Sequence, residues 1–169
     1  SGNVGNTIIS PALGPVSKYF GIDEASSQAL LSAYYLPMAL FPLVFGSLSD
    51  RYGRRPPLIF GLVLLTAGGF TATLSESFEL LAFSRVLQGM GAAASGTILV
   101  PMIKDSYGNL EAARILAIVS SIMMIVPFFS FAFGGIITEI FSWKGTMFVI
   151  FLFVTSEIFF FYISFPRRR

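Results

Sequence analysis

Gly46-Ser-Leu-Ser-Asp50-Arg51-Tyr-Gly53-Arg54-Arg55-Pro56 concentrates four of the chain's 20 charged side chains into eleven positions. What decides the fold is what flanks it. Between Glu24 and Asp50 lie 25 uncharged residues, and between Arg55 and Glu76 lie 20. A membrane-spanning helix needs roughly 20 predominantly apolar residues, so the stretch reads as a tight polar turn between two spans. Asp50 falls one turn before Arg54 if the first helix runs on. Gly53 supplies the turn, and Pro56 suits the first turn of the next helix, where its missing amide costs nothing. Gly46 permits close approach of a neighbouring helix.

Moving outward, Arg114 to Glu139 encloses 24 uncharged residues, a third unbroken span. Glu79 to Lys104 spans if one buried charge, Arg85, is allowed, and Lys144 to Arg167 spans if Glu157 is allowed. The uncharged stretch from Ser1 to Ser17 carries Gly5, Asn6, Pro11, Gly14 and Pro15 and reads as the later part of a helix whose start is missing. The expectation is an all-α, multi-pass transmembrane bundle forming a single domain over 1–169. Its six helices fall at about 1–20, 25–49, 56–76, 78–104, 112–138 and 145–166, the first incomplete. Short connections leave no room for an extramembrane domain.

Composition excludes much else. Only 12% of residues are charged, against 54% hydrophobic, over 169 residues. That is about half the charge of an ordinary soluble domain. The chain has no Cys and no His, which removes thiol nucleophiles, disulfides, thiolate or imidazole metal sites and the commonest general base. No metal and no cofactor is expected, nor an enzyme, since no acid pair or nucleophile and base constellation is present. Basic residues divide unevenly. Arg51, Arg54, Arg55, Lys104, Arg114, Arg167, Arg168 and Arg169 fall on one side of the bundle, against Lys18 and Lys144 on the other. The positive-inside rule makes the first side cytoplasmic in a cell membrane. The net charge of +2 reflects that asymmetry, and no basic run with interleaved aromatics suggests nucleic acid.

The ordered pattern G-x-L-x-D-R-x-G-R-R over Gly46 to Arg55 resembles the loop between the second and third helices of major facilitator superfamily transporters. Leu81-Ala-Phe-Ser-Arg85-Val-Leu-Gln88-Gly89-Met-Gly91-Ala92-Ala93 is similar to that family's fourth-helix motif, a buried Arg followed by Gln-Gly and small residues. Pro127 through Gly134-Gly135 resembles its antiporter motif, with Val126 where a Gly usually precedes the Pro. Pro11-Ala12-Leu13, and Trp143-Lys144 with Phe148, are similar to the branch that includes bicyclomycin and chloramphenicol exporters. The resemblance runs the whole chain and stops after helix six of twelve, so it implies an N-terminal half built of two inverted three-helix repeats. Its partner would be a C-terminal six-helix half, covalent or separate, or a second copy of the chain.

Several residues then stand out. Arg85 lies about 9 Å inside the outer boundary at 1.5 Å per residue. A charge there costs on the order of 2.5 to 3.5 kcal/mol on insertion scales unless it finds a wet cavity or a partner. It either snorkels outward or lines the transport pathway, with Gln88 one turn on offering hydrogen bonds to substrate. Glu157 lies about 20 Å from its helix start, either as a structural or snorkelling carboxylate or as a proton site. Where the drug-exporter branch often has an acid in helix one, this chain has Thr7 beside Asn6, neither able to titrate. Tyr34, Tyr35, Phe41 and Phe45 suit an apolar cavity and lipid contact equally. Small residues at Gly68, Gly69, Gly89, Gly91, Ala92, Ala93, Ala94, Gly96, Gly134 and Gly135 suit close helix packing. Asp50, Arg54 and Asp105 share one interfacial level, and the resemblance implies that they form a conformational latch together with Gly46, Arg51, Gly53 and Arg55.

These readings combine into an expectation of proton-coupled efflux of small amphipathic compounds, driven by the proton gradient. The alternatives are proton-coupled uptake of a small metabolite, or a half-size membrane protein that acts by self-pairing without transport.

Overall fold

The computed structural model describes residues 13–125 together with 129, 145, 148, 149, 151, 152, 155 and 156. Among them all regular structure is helical. Four helices are bounded as α1 (Leu13–Phe20), α2 (Glu24–Tyr52), α3 (Arg55–Thr73) and α4 (Phe78–Ser106). A fifth, α5, is described over 109–125. Residues 126–128 and 130–138 of the expected fifth helix, 157–166 of the sixth and the first twelve residues, and with them Pro127, Gly134, Gly135 and Glu157, lie outside the described residues.

Local chemistry sets the boundaries. Gly21, at φ 64°, turns the chain between α1 and α2. Asp23 then caps α2, accepting from the Ser26 amide at 3.3 Å. The Ser26 hydroxyl and amide together hold the Asp23 carboxyl below its usual value. At its other end α2 runs on past the expected 49 to Tyr52, because nothing opposes the helix until Gly53 takes φ 85°, a conformation that side chains resist. Pro56 and Pro57 sit in the first turn of α3. That helix stops short of the expected 76, where the Ser75 hydroxyl takes up the Ala72 carbonyl at 2.8 Å. Ser77 caps α4, accepting from the Leu80 amide at 3.2 Å, and Glu79 stands in the first turn, where the helix dipole favours an acid. The helix runs beyond the expected 104 through Asp105 and ends at Ser106.

Helices α2, α3 and α4 contain segments long and apolar enough to cross a membrane: Gln28–Tyr52, Arg55–Thr73 and Phe78–Ser106. Their apolar character is nearly uniform around the axis, as expected where one side meets lipid and the other meets protein. The large side chains Leu36, Leu40, Leu43, Phe60, Val63 and Phe83 are exposed on the outer faces. Packing is ordered around α4, which lies against both α2 and α3, whereas α2 and α3 touch each other little. Two buried clusters stack along the bundle. One gathers Val16, Leu30, Tyr34, Leu65, Ala72, Leu81 and Ala92. The other, toward the Gly53 turn, gathers Phe45, Leu58, Leu62, Ala93, Ala94, Ile98 and Met102.

Candidate functional site

Glycines bring α4 into backbone contact with both neighbours. A Cβ at Gly89 would collide with the Tyr34 carbonyl of α2, and one at Gly91 with the Gly61 carbonyl of α3. On the facing side a Cβ at Gly68 would lie 2.7 Å from the Ser84 carbonyl. Without a hydrophobic driving force between helices in lipid, such close approach is what dispersion and weak polar contacts require. Gly61 was not singled out by sequence reasoning. Its signal was its position seven residues before Gly68, two turns along one face. Gly96 departs from the expected packing role, since a Cβ there would meet nothing within 4 Å. Gly46 is only in ordinary contact range, 3.9 Å from the Thr97 methyl.

This tight packing encloses Arg85. Its side chain is 0% exposed, so the guanidinium does not snorkel outward. Nη1 donates to Oε1 of Gln88, three residues on along the same helix. Across the helix interface the guanidinium carbon stands 5.7 Å from the centre of the Tyr34 ring, within range of a cation–π attraction. The Arg85 Nε and Nη2 atoms and the Gln88 Nε2 atom are buried without hydrogen-bond partners. With the amide oxygen of Gln88 taken by Nη1, three donor atoms around one positive charge stay open and make the site an acceptor-seeking one.

Of the aromatic residues expected near the pathway, Tyr34 alone meets Arg85 among the described contacts. Tyr35 is half exposed, with its ring 5.5 Å from that of Tyr34 in an edge-on arrangement. Phe45 is buried in the second cluster, and Phe41 packs partly buried against it. Asn6, Thr7 and Glu157 lie outside the described residues.

A second polar centre forms at the opposite end of the bundle. Arg54 Nη1 donates to Asp50 Oδ1 at 3.0 Å and to the Ser49 hydroxyl at 3.1 Å, while Nε donates to Asp105 Oδ2 at 3.1 Å. One guanidinium thereby ties the end of α2, the turn into α3 and the end of α4 together. Its side chain is 32% exposed, and those of Asp50 and Asp105 are 72% and 59% exposed, so the carboxylates keep an open edge. Arg51 points elsewhere, its guanidinium 5.5 Å from the ring of Tyr52. Arg55 opens α3, and Gly53 provides the left-handed turn that aims Arg54 back at the two carboxylates. Ser49, buried and five residues before Arg54, is a member that charge patterning did not reveal.

Comparison with known proteins places the chain in a family. Residues 3–169 match the Major Facilitator Superfamily. An uncharacterized transporter of Rickettsia bellii is 34% identical over 140 residues, covering 83% of this chain and 35% of that protein. The multidrug transporter MdfA of Edwardsiella ictaluri is 29% identical over 148 residues, 88% of this chain and 36% of its own length. Multidrug resistance protein D of Escherichia coli is 24% identical over 144 residues, with 85% and 36% covered. The chain thus spans about a third of the length of the curated relatives it matches. With its match running nearly end to end and its helices long enough to cross a membrane repeatedly, the chain belongs to the Major Facilitator Superfamily.

Proposed function

We propose that this chain forms part of a secondary transporter of the cytoplasmic membrane that exports small amphipathic compounds in exchange for protons. The observation that carries the reading is the enclosed Arg85, its donors unfilled, inside a predominantly apolar bundle. A charge held at that cost inside a membrane helix marks a substrate or ion pathway. The names of the relatives support drug-like substrates. The proton carrier is Glu157 or an acid supplied outside this chain, since Asn6 and Thr7 do not titrate. The transport path is completed by a second six-helix unit, joined to this one or separate, or by a second copy. The energy source is the proton gradient, with no bound cofactor.

The test is growth of cells expressing the natural full-length protein on a panel of amphipathic antibiotics, with and without a protonophore. Raised tolerance that the protonophore abolishes supports the reading. Greater accumulation of the compounds inside the cells would establish uptake and overturn it.

A further inference from the structure

The unpartnered atoms of Arg85 are not a random pair. Nη1 is taken by Gln88 Oε1, leaving Nε and Nη2, and these two nitrogens form the side edge of the guanidinium. Their N–H bonds run parallel, in the fork that matches both oxygens of one carboxylate. Gln88 adds a further unpartnered donor through Nε2, while its oxygen, engaged by Nη1, fixes which edge of the guanidinium stays open. Tyr34 lies over the guanidinium carbon at 5.7 Å, restricting that group's rotation. All three open donors are buried and belong to side chains no more than 3% exposed. The acids of the described residues stand at the helix ends and turns: Asp23 and Glu24 at the start of α2, Asp50 at its end, Glu76 and Glu79 around the start of α4, Asp105 at its end, and Glu111 in the first turns of α5. Of these, Asp23, Asp50, Glu76, Glu79, Asp105 and Glu111 do not provide the oxygens that this edge calls for.

We propose that Arg85 and Gln88 form a receptor for a carboxylate carried by the transported compound, so that the substrates are amphipathic organic acids rather than cations. The inference rests on the transport reading above and narrows it to a substrate class. The compound's apolar body would lie along the neighbouring aliphatic and aromatic surface of α2 and α4, with its carboxylate held side-on. The edge is sealed from solvent in this conformation. Access therefore belongs to the opening of the bundle that alternating exposure of an enclosed site entails.

The experiment measures equilibrium binding to the purified natural full-length protein in detergent at neutral pH, with no proton gradient. The probes are two matched pairs, 1-naphthaleneacetate against 1-naphthaleneacetamide and decanoate against decanamide. Each pair shares its apolar body and differs in the charge of the head. The expected result is a preference of about tenfold or more for the acid in at least one pair, the scale of a charge-assisted hydrogen bond. In Arg85→Gln that preference falls to about twofold or less, and in Gln88→Leu it weakens, with both variants eluting as folded protein on size exclusion. Should Arg85→Gln fail to fold, the Gln88→Leu comparison decides the matter alone. Equal affinity for acid and amide in both pairs overturns the proposal, as does a preference that survives both substitutions. A parent that ignores all four probes, while Glu157→Gln gains the acid preference, also overturns it by assigning the acceptor to the protein itself. Because binding is read without a gradient, loss of protonophore-sensitive drug tolerance with the acid preference intact would count against the export reading alone.

Discussion

Arg85 carries its charge fully enclosed and with only part of its hydrogen-bonding capacity used, an arrangement that lowers stability and so points to function. Arg85→Ala removes the buried charge, worth on the order of 2.5 to 3.5 kcal/mol on insertion scales. Membrane insertion and yield should therefore be maintained or improved while transport is lost. Arg85→Lys should also be impaired, since an ammonium cannot present the parallel pair of N–H groups. Initial rates in proteoliposomes, set beside the amount of protein inserted, check both, and a normal rate in Arg85→Ala would leave Arg85 without a transport role. The spacing of Arg85 and Gln88 at one helical turn was legible in the sequence. Which aromatic joins them was not. Tyr34 and Tyr35 are adjacent and chemically identical, and hydropathy cannot separate a face that meets protein from one that meets lipid, because both are apolar. Only the seating of α4 against the Tyr34 carbonyl, through Gly89, decides it.

At the level of the helices, small residues decide which faces meet. Gly89 and Gly96 are seven residues apart and so lie on nearly the same face of α4, and the sequence offered no reason to treat them differently. Yet a Cβ at Gly89 would strike backbone of α2, while one at Gly96 would meet open space, because the contact with α2 has passed to Thr97, opposite Gly46. Gly89→Ala should destabilise the bundle by about 1 to 3 kcal/mol, the usual cost of overpacking where the obstacle is backbone and cannot rotate away. Gly96→Ala should be neutral, or slightly stabilising, since Ala is the better helix former by about 1 kcal/mol. Thermal unfolding of the full-length protein in detergent distinguishes the two: a clear drop in Tm for Gly89→Ala alone is expected, and equal effects would refute the seam. The ends of α2, α3 and α4 lie within a few residues of those expected because glycine, proline and capping residues mark them locally. The stop of α3 before Ser75 was not, as it depends on a buried hydroxyl taking a carbonyl.

Among the described residues two polar centres stand at different levels of the bundle, and orientation gives them their sides. Eight basic residues (Arg51, Arg54, Arg55, Lys104, Arg114, Arg167, Arg168 and Arg169) against two (Lys18 and Lys144) should place the Arg54 end in the cytoplasm. Single cysteines at Ser106 and Ser77, on a cysteine-free background, should then label from opposite faces, and labelling of both by an impermeant reagent in intact cells would refute the topology. On the proposed transport reading, that orientation would put the Asp50–Arg54–Asp105 cluster at the inner mouth, where two halves of a transporter would close on one another. Within this chain each ion pair is solvent-accessible, and such pairs contribute only about 0 to 1 kcal/mol. The cluster therefore adds little to folding. Its open carboxylate edges can instead meet the positive end of a helix from the partner half, an anion site of the kind helix N-termini provide. Such a contact would exist only while the inner mouth is closed, so its energy would go entirely into the balance between outward-open and inward-open forms. A bias of 1.4 kcal/mol would shift that balance about tenfold. Asp50→Asn keeps the shape of the side chain and removes its charge. It should leave yield and Tm nearly unchanged, slow turnover, and move spin-label distances across the inner mouth of the full-length protein toward the longer, inward-open population. A distance distribution identical to that of the parent would show that the cluster only fastens α2, α3 and α4 together and has no part in closing the mouth.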